Sequence, residues 1–291
     1  MKTGIHTLSI EDYHGGEGVS KSGLHTILTK TPFHYRFGDR TPSNAQAFGN
    51  AAHTAILEPN LFEPRYMRGP DDRRGNKWGA AQEMAAAAGK ECLTSGDYDD
   101  AMRLRDILHR DPMLRRLTSG APAIEQSAYA VDDETGELVR VRPDLFNHDM
   151  RVMMDLKAGT LDQYTMLRNF VNFGYNLQAE MYPSIWTKAG GGDVDAFIFL
   201  CVEKDVPHAY RWVELPPGAL EEGAAMYRKA MGIYHDCMEA ERALLQQHAS
   251  SQLDGPDMDA YLAQAWPMYG SEVQTLEWPA YAYKLTQREV E

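Results

Sequence analysis

The chain has 291 residues, of which 43% are hydrophobic and 24% charged, and its formal net charge is −13. This is the composition of an ordinary soluble globular protein, which argues against extensive disorder. No apolar run approaches the length of a membrane span. The N-terminus lacks the basic and apolar regions of a signal peptide, so we expect a cytoplasmic location and no membrane partner. The three cysteines are too few for a four-thiolate zinc site or an iron–sulfur cluster.

The predicted helices of the first 120 residues follow from capping residues and helix-breaking residues. They run from Ser20 to about Lys30, from Pro32, from about Ala47 to Leu57, from about 78 to 88, from Ser95 to His109, and from Asp111-Pro112 to a point before Gly120. Residues 61–92 are otherwise rich in turn-forming residues. The N-terminal part is therefore predicted to be mainly helical.

From residue 121 the hydrophobic pattern changes to the alternation typical of strands. The predicted strands are Gln126–Val131, Leu138–Pro143, Arg151–Leu156, Ala196–Val202 and Ala209–Leu215. Asp132–Gly136 has the composition of a hairpin turn. Helices are predicted over about 175–188 and, from an apolar stripe, after Pro217.

These elements predict an α/β fold with a mixed central sheet that is antiparallel at its start and flanked by helices. We expect a single domain with a helical part over 1–120, a catalytic sheet with its helices over 121–248, and a C-terminal tail over 249–291. Trp266, Tyr269, Trp278 and Tyr281 in the tail show no clear periodicity.

Candidate chemistry is concentrated in Arg142-Pro143-Asp144 and in the strand that carries Asp155 and Lys157. Residues two apart on a strand point to the same face, so Asp155 and Lys157 project together. A hairpin-like connection can bring Asp144 beside Asp155. Two converging carboxylates need a cation, and Mg²⁺ prefers such oxygen ligands. The pattern thus predicts a metal site with a lysine that stabilises charge. By itself, however, so short a pattern often arises by chance.

Further motifs occur in the order found in one nuclease superfamily. They are Val19–Leu24 with Pro32 and Tyr35, Phe48–Thr54 with its histidine, Glu125-Gln126-Ser127, and Gln178-Ala179-Glu180-Met181-Tyr182. With Asp144, Asp155 and Lys157, the sequence resembles the PD-(D/E)xK superfamily, and within it the RecE-type (exonuclease VIII) and RecB-type phage exonucleases. The resemblance runs from about Gly18 to Val202 and implies a restriction-endonuclease-like core.

The resemblance also implies roles for individual residues. His53, Asp144, Asp155 and the carbonyl of Leu156 would bind Mg²⁺, with Mn²⁺ as a possible substitute because histidine is less typical of magnesium sites. Lys157 would be the catalytic lysine, and Gln178 and Tyr182 would line the site from one helical face. Glu125 remains open between a metal-site carboxylate, a group that supports one, and an exposed charge at the strand edge. His53 could also be an ordinary helical histidine.

The N-terminal motif has two interpretations. Ser20 and Ser22 are good helix-capping residues and need no further function. A helix N-terminus with two hydroxyls and Lys21 would equally suit a phosphate, because its free N–H groups attract anions. The resemblance implies that Ser20, Lys21 and Ser22 hold the 5′-terminal phosphate of DNA, with Arg36 as a further candidate.

The implied activity is metal-dependent hydrolysis of linear double-stranded DNA from its ends, 5′ to 3′. The 3′ single strands would serve recombination through a RecT-like single-strand annealing protein, and the enzyme would form a homo-oligomeric ring. A RecB-like nuclease acting on single strands or flaps, a catalytically silent DNA-end-binding accessory protein and a metal-binding structural protein are the alternatives. The negative charge is unusual for a DNA-binding protein. It is partly concentrated in the segment from Glu214 to Glu291, which has thirteen acidic residues and five basic ones.

Overall fold

The computed structural model describes residues 2–39, 44–247 and 256–269. Its strands are β1 (Gly4–His6), β2 (Val19–Ser20), β3 (Tyr66–Arg68), β4 (Glu91–Leu93), β5 (Ala123–Ile124), β6 (Ser127–Val131), β7 (Leu138–Val141), β8 (Leu145–Asn147), β9 (Val152–Ala158), β10 (Ala196–Val202) and β11 (Tyr210–Glu214). Its helices are α1 (Ile10–Gly15), α2 (Lys21–Thr29), α3 (Pro32–Phe37), α4 (Asn44–Leu57), α5 (Pro59–Arg65), α6 (Gly75–Ala87), α7 (Ser95–Leu108), α8 (Pro112–Leu117), α9 (Gln163–Asn172), α10 (Tyr175–Lys188), α11 (Pro217–Gln247) and α12 (Pro256–Leu262). The mixed α/β class predicted from the sequence is confirmed.

The larger sheet has five strands in the order β11-β10-β9-β8-β5. Strand β9 lies at its centre, parallel to β10 and antiparallel to β8. Leu145 of β8 is opposite Met154 of β9. Continuing that register by one residue places Asp144 opposite Asp155, as the sequence predicted.

The predicted hairpin of β6 and β7 is present, but it lies in a second sheet, ordered β1-β6-β7-β2. The break between the two sheets falls at Pro143-Asp144, between β7 and β8. Proline has no N–H with which to continue a strand ladder, which explains why pairing stops there. The interruption leaves Asp144 outside both ladders, so its side chain is free to turn toward β9.

Alternation along β9 divides the protein into two hydrophobic cores. Met153 packs into the core that contains α10 and α11, whereas Met154 and Leu156 pack into the core that contains α4 and α7. Because side chains alternate, Asp155 and Lys157 lie on the α10 side of the sheet. The backbone of Leu156 is accessible from the α4 side. The strand therefore presents groups to both helical layers.

Several element boundaries differ from the sequence predictions. Thr94 caps α7, because its hydroxyl accepts a hydrogen bond from the N–H of Asp97 at 3.1 Å, and Ser95 is the first helical residue. Ser20 and Asp111 cap α2 and α8 as predicted. Helix α9 was not predicted. Its apolar residues Tyr164, Leu167 and Val171 are exposed, and only Met166 and Phe170 are buried in it.

The described part of the predicted tail packs against the body. Trp266 is buried, and its indole N–H donates a hydrogen bond to Glu241 of α11. Trp278 and Tyr281 lie outside the described residues. Among the helices that the structure describes, none combines the length and apolar character needed to cross a membrane.

Candidate active site

Asp155 is held between two side-chain donors at the centre of the larger sheet. Its Oδ2 lies 2.5 Å from the ammonium of Lys157, and its Oδ1 accepts a hydrogen bond from the Gln178 amide at 2.5 Å. Asp155 is only 3% exposed, and within the described residues its Oδ2 accepts no hydrogen bond beyond the ion pair with Lys157. A buried oxygen with one partner retains the capacity to bind a cation.

Asp144 and His53 meet at the backbone of Leu156, the residue that follows Asp155. The Asp144 Oδ2 accepts a hydrogen bond from the N–H of Leu156 at 2.6 Å and lies 3.3 Å from the His53 Nδ1. The His53 Nε2 lies 3.0 Å from the carbonyl oxygen of Leu156. Helix α4 therefore brings its histidine into contact with the carbonyl and the carboxylate that, by the family resemblance, would bind the same metal.

Glu125 joins this group through an unusual backbone conformation. Its φ of 51° is in the left-handed region, which costs energy in a residue other than glycine. Its N–H donates to the carbonyl of Asp144 at 3.1 Å, and its Oε1 lies 3.8 Å from the His53 Nδ1. Its Oε2 accepts a hydrogen bond from Arg142 at 2.8 Å. Glu125 is therefore an ordered part of the site and not a solvated charge at the strand edge.

Arg142 was not identified as a site residue from the sequence. Besides Glu125, it donates hydrogen bonds to the carbonyl of Leu8 at 3.0 Å and the hydroxyl of Ser127 at 3.1 Å. Its position directly before Pro143-Asp144 could have indicated a role at the site. An arginine at the end of a strand can equally well be exposed to solvent, so the position alone was not sufficient. Here its side chain is only 13% exposed.

Burial and the charge of Asp155 raise the pKa of Asp144 to about 8. Burial opposes protonation of His53, but Asp144 and Glu125 outweigh it and raise the pKa of the imidazole to about 9. Burial also opposes protonation of Lys157, but the negative charge of Asp155 outweighs it and raises the pKa of the lysine. The excess of buried negative charge thus retains protons near neutral pH and favours any cation that replaces them.

The donor set fits a divalent metal ion. Ligand atoms of His53, Glu125 and Asp144 all lie within 4.8 Å of one another, and Asp155 and the Leu156 carbonyl are adjacent. Carboxylate and carbonyl oxygens with one imidazole nitrogen suit Mg²⁺ or Mn²⁺. A second group, formed by Glu137, His235 and Glu239, is less suitable. Arg242 already forms ion pairs with both of its carboxylates.

A cavity of about 290 Å³ opens beside these residues. It is lined by Asp144, Asp155, Lys157, Gln178, Tyr182 and Arg142, and also by Ser20, Lys21 and Ser22. The Ser20 hydroxyl accepts from the N–H of Gly23 at 3.3 Å and lies 3.0 Å from the Ser22 hydroxyl. Ser20 therefore both caps α2 and lines the cavity, so the two interpretations of the N-terminal motif are compatible. Burial raises the pKa of Tyr182 well above its usual value, so its hydroxyl stays protonated.

Arg36, which the resemblance grouped with Ser20, Lys21 and Ser22, does not line this cavity with them. Its guanidinium forms two hydrogen bonds with Glu241 of α11, at 3.1 and 3.2 Å. The ion pair links α3 to α11. The carboxylate of Glu241 neutralises the guanidinium charge that would otherwise attract a terminal phosphate. The structure therefore does not bring Arg36 to the predicted phosphate site, and its assignment to phosphate binding stays a prediction that the structure does not support.

A second cavity, of about 420 Å³, lies on the Glu125 side of the site. Both cavities are lined by Ile10 and Arg142. Glu11, Glu58 and Glu91 also line the larger one, so it is the less favourable of the two for a phosphate backbone.

Comparison with known proteins identifies the family of this chain and related folds. The family model of a PDDEXK-like domain of unknown function (DUF3799) matches residues 33–245. A crystal structure of a putative exonuclease from Eubacterium rectale covers 98% of this chain and 100% of its own, with 15% sequence identity and a TM-score of 0.53. The crystal structure of the protein SSO0001 aligns over 78% of this chain and 79% of its own, with 9% identity and a TM-score of 0.33. No curated protein matches the sequence significantly.

The similarity to the Eubacterium rectale protein supports the fold alone, because the identity is low. The family match covers most of the chain, including His53, Asp144, Asp155, Lys157 and Gln178. The PD-(D/E)xK superfamily predicted from the sequence is confirmed, and the chain belongs to the PDDEXK-like domain family DUF3799.

Proposed function

We propose that this protein is a metal-dependent exodeoxyribonuclease that degrades linear double-stranded DNA. The observation that carries the proposal is the convergence of Asp144, Asp155 and Lys157 on one cavity wall. Gln178 donates a hydrogen bond to Asp155, and His53 contacts Asp144. Few functions other than phosphodiester hydrolysis call for buried carboxylates, a lysine and an adjoining cavity in this arrangement.

The ligands would be Asp144, Asp155, His53 and the Leu156 carbonyl, with Glu125 close by. A divalent ion, Mg²⁺ or Mn²⁺, would supply Lewis acidity and a water of lowered pKa. The N–H of Leu156 fixes the Asp144 carboxylate, and Gln178 fixes that of Asp155. Lys157, with its raised pKa, is protonated at neutral pH. It therefore stabilises negative charge on the phosphate and does not remove a proton from water.

We further propose that digestion starts at duplex ends and proceeds 5′ to 3′. Ser20 and Ser22 line the cavity beside the proposed metal ligands, where they would contact a strand terminus, and the RecE-type resemblance supports the same polarity. The product would be a 3′ single strand suited to a RecT-like annealing protein. A ring of identical subunits around the DNA would make digestion processive.

A digestion experiment tests this function. A linear duplex with a 5′ label is incubated with the protein and Mg²⁺ or Mn²⁺, in parallel with a closed circular duplex and with EDTA. We expect metal-dependent loss of the linear DNA alone, with early release of 5′-labelled mononucleotide. Cleavage of the circle would make the protein an endonuclease. Late release of the label would indicate digestion in the opposite direction, 3′ to 5′.

The same experiment separates the alternatives when single-stranded and flap substrates are added. Faster cleavage of those substrates than of the blunt duplex would indicate a RecB-like nuclease. Binding of duplex ends without cleavage in either metal would indicate an accessory protein and would overturn the proposal.

A further inference from the structure

Tyr175, the first residue of α10, carries two lysine ammonium groups on one aromatic ring. The Lys157 ammonium lies 4.6 Å from the ring centroid, and the Lys21 ammonium lies 5.2 Å from it. Both distances are within the range of cation–π attraction, which is stronger where water is excluded. The two lysines come from β9 and α2, which are distant in sequence, so this ring brings them together.

The ring is held rigidly from its other sides. It stacks on Phe199 with centroids 5.5 Å apart and meets Phe170 edge to face at 5.0 Å. The Lys21 ammonium also donates a hydrogen bond to the carbonyl of Phe173, two residues before Tyr175. Lys21 is thus positioned by the α9–α10 corner and is not a mobile surface lysine.

The charges around this ring are not balanced. Lys157 is paired with Asp155 at 2.5 Å, whereas among the contacts of the described residues Lys21 has the neutral Phe173 carbonyl and the ring. Burial, followed by repulsion from Lys157, lowers the pKa of Lys21 to about 7. An anion bound between the two lysines would favour the charged form of both, so this pair with its one carboxylate is complementary to a further anion.

We infer that Lys21 and Lys157 form one anion site for the phosphodiester undergoing cleavage, with Tyr175 as the residue that positions both. The inference rests on the proposed function and deepens it. It differs from the sequence-based expectation that Lys21 holds the 5′-terminal phosphate. Both lysines line the 290 Å³ cavity with Asp144 and Asp155, so a phosphate bound between them would also adjoin the proposed metal ligands.

Two substrate ends distinguish these roles of Lys21. Single-turnover cleavage by Lys21→Met is compared on blunt duplexes that carry either a 5′-phosphate or a 5′-hydroxyl. We expect the rate to fall by about a hundredfold on both ends, because a donor to developing charge is lost. The ratio of the two rates should match that of the wild-type protein. A loss confined to the 5′-phosphate substrate would overturn the inference and restore the terminal-phosphate role.

Substitutions of Tyr175 test its positioning role. Tyr175→Phe keeps the aromatic face and should cleave at nearly the wild-type rate. Tyr175→Leu should lower the rate at saturating DNA by about tenfold with little change in KM, since the cation–π contact is lost. Equal defects in Tyr175→Phe and Tyr175→Leu would show that the ring does not act through the ammonium groups.

Binding without metal gives a readout that is independent of cleavage. In EDTA, Lys21→Met should reduce the slope of log Kd against log salt by about one for both duplex ends, as expected for one lost phosphate contact. Lys21→Arg keeps the charge and should retain the slope. Lys30→Met, at the exposed end of the same helix, is the matched control and should match the wild-type protein in both assays.

The outcomes for the proposed function and for this inference are separate. A wild-type protein that cleaves no DNA with either metal would overturn the proposed function and this assignment with it. A wild-type protein that cleaves, together with an unchanged salt slope and rate in Lys21→Met, would overturn this assignment alone.

Discussion

The Asp144 carboxylate accepts a hydrogen bond from the backbone N–H of Leu156 at 2.6 Å, although twelve residues separate the two in the sequence. The bond fixes one acidic side chain against the strand that carries Asp155 and Lys157. The carbonyl of the same Leu156 faces the His53 imidazole. The segment from Asp155 to Lys157 therefore aligns both carboxylates and the histidine. Substitutions of these residues and their partners should affect cleavage without an equal effect on folding or on DNA binding.

Replacing Lys157 with alanine should abolish cleavage and leave end binding largely intact. The lysine neutralises Asp155 and stabilises charge that develops on the phosphate, so we expect a rate loss of at least about a hundredfold. Single-turnover digestion and fluorescence anisotropy in Ca²⁺ measure the two effects. Lys188→Ala removes a lysine that pairs with the exposed Asp133 and should behave like the wild-type protein. Equal losses of binding and cleavage in Lys157→Ala would contradict the assigned role.

Metal affinity should rise with pH. The pKa of Asp144 is raised to about 8 and that of His53 to about 9, whereas both groups would release their protons at lower pH in the unfolded chain. A metal must displace these protons, so the Kd for Mn²⁺ should fall between pH 6 and pH 9. For each proton displaced the change approaches about tenfold per pH unit. Calorimetry measures the Kd, and a pH-independent Kd would contradict the prediction.

The same two groups determine how the metal-free protein responds to pH. Both bind protons more tightly in the folded protein than in the unfolded chain, so their contribution to stability is lost as pH rises toward 9. The Tm in EDTA should fall over pH 6–9, and Mn²⁺ should raise it most at the upper end. Asp144→Asn removes one of the two groups and should flatten the dependence in EDTA.

The sequence predicted those parts of the site that depend on residues close together in the chain. Alternation along one strand was sufficient to place Asp155 and Lys157 on one face, and helical spacing placed Gln178 and Tyr182 together. Tyr175 and Arg142 were missed because their partners come from distant segments, which no local period reveals. The ion pair of Arg36 was missed for the same reason, since Glu241 lies 205 residues further along the chain.

The fold was predicted where local signals agree with tertiary packing. Helix α10 and strand β10 have the predicted bounds because the length and the hydrophobic pattern of each segment agree with its burial in the core. The short strands β5 and β8 have too few residues to show a period, and their pairing is defined only by the sheet. Helix α9 has exposed apolar residues, so its pattern does not indicate which face is buried.

The close contact of α10 and α11 at Gly223 should be sensitive to a single methyl group. A Cβ added at Gly223 would lie 2.3 Å from the Asn176 carbonyl oxygen, a backbone atom that cannot move aside alone. Gly223→Ala should lower the free energy of unfolding by about 1–3 kcal/mol. A Cβ added at Gly232 of the same helix would meet no atom of the described residues within 4 Å, so Gly232→Ala should raise the free energy of unfolding by about 0.5–1 kcal/mol. Chemical denaturation measures both, and a neutral Gly223→Ala would show that the helices separate easily.

Gln178 should affect cleavage through the hydrogen bond that its amide donates to Asp155. Its amide donates to the Asp155 Oδ1 at 2.5 Å, so Gln178→Ala removes a donor and should slow cleavage by about tenfold to a hundredfold, as for other partners of metal ligands. Gln178→Glu instead places a carboxylate against a buried carboxylate. The repulsion favours protonation of one of them, so this variant should cleave less than Gln178→Ala at neutral pH and bind Mn²⁺ more weakly.

The control for this pair is Glu180→Gln, a change of one charge on the same helix at a position that does not line the cavity. It should match the wild-type protein in cleavage and in Mn²⁺ affinity. If Gln178→Ala and Gln178→Glu lost activity equally with unchanged Mn²⁺ affinity, Gln178 would act on the DNA and not on Asp155. The ranking of the two variants therefore decides whether the amide supports the metal ligand or contacts the substrate.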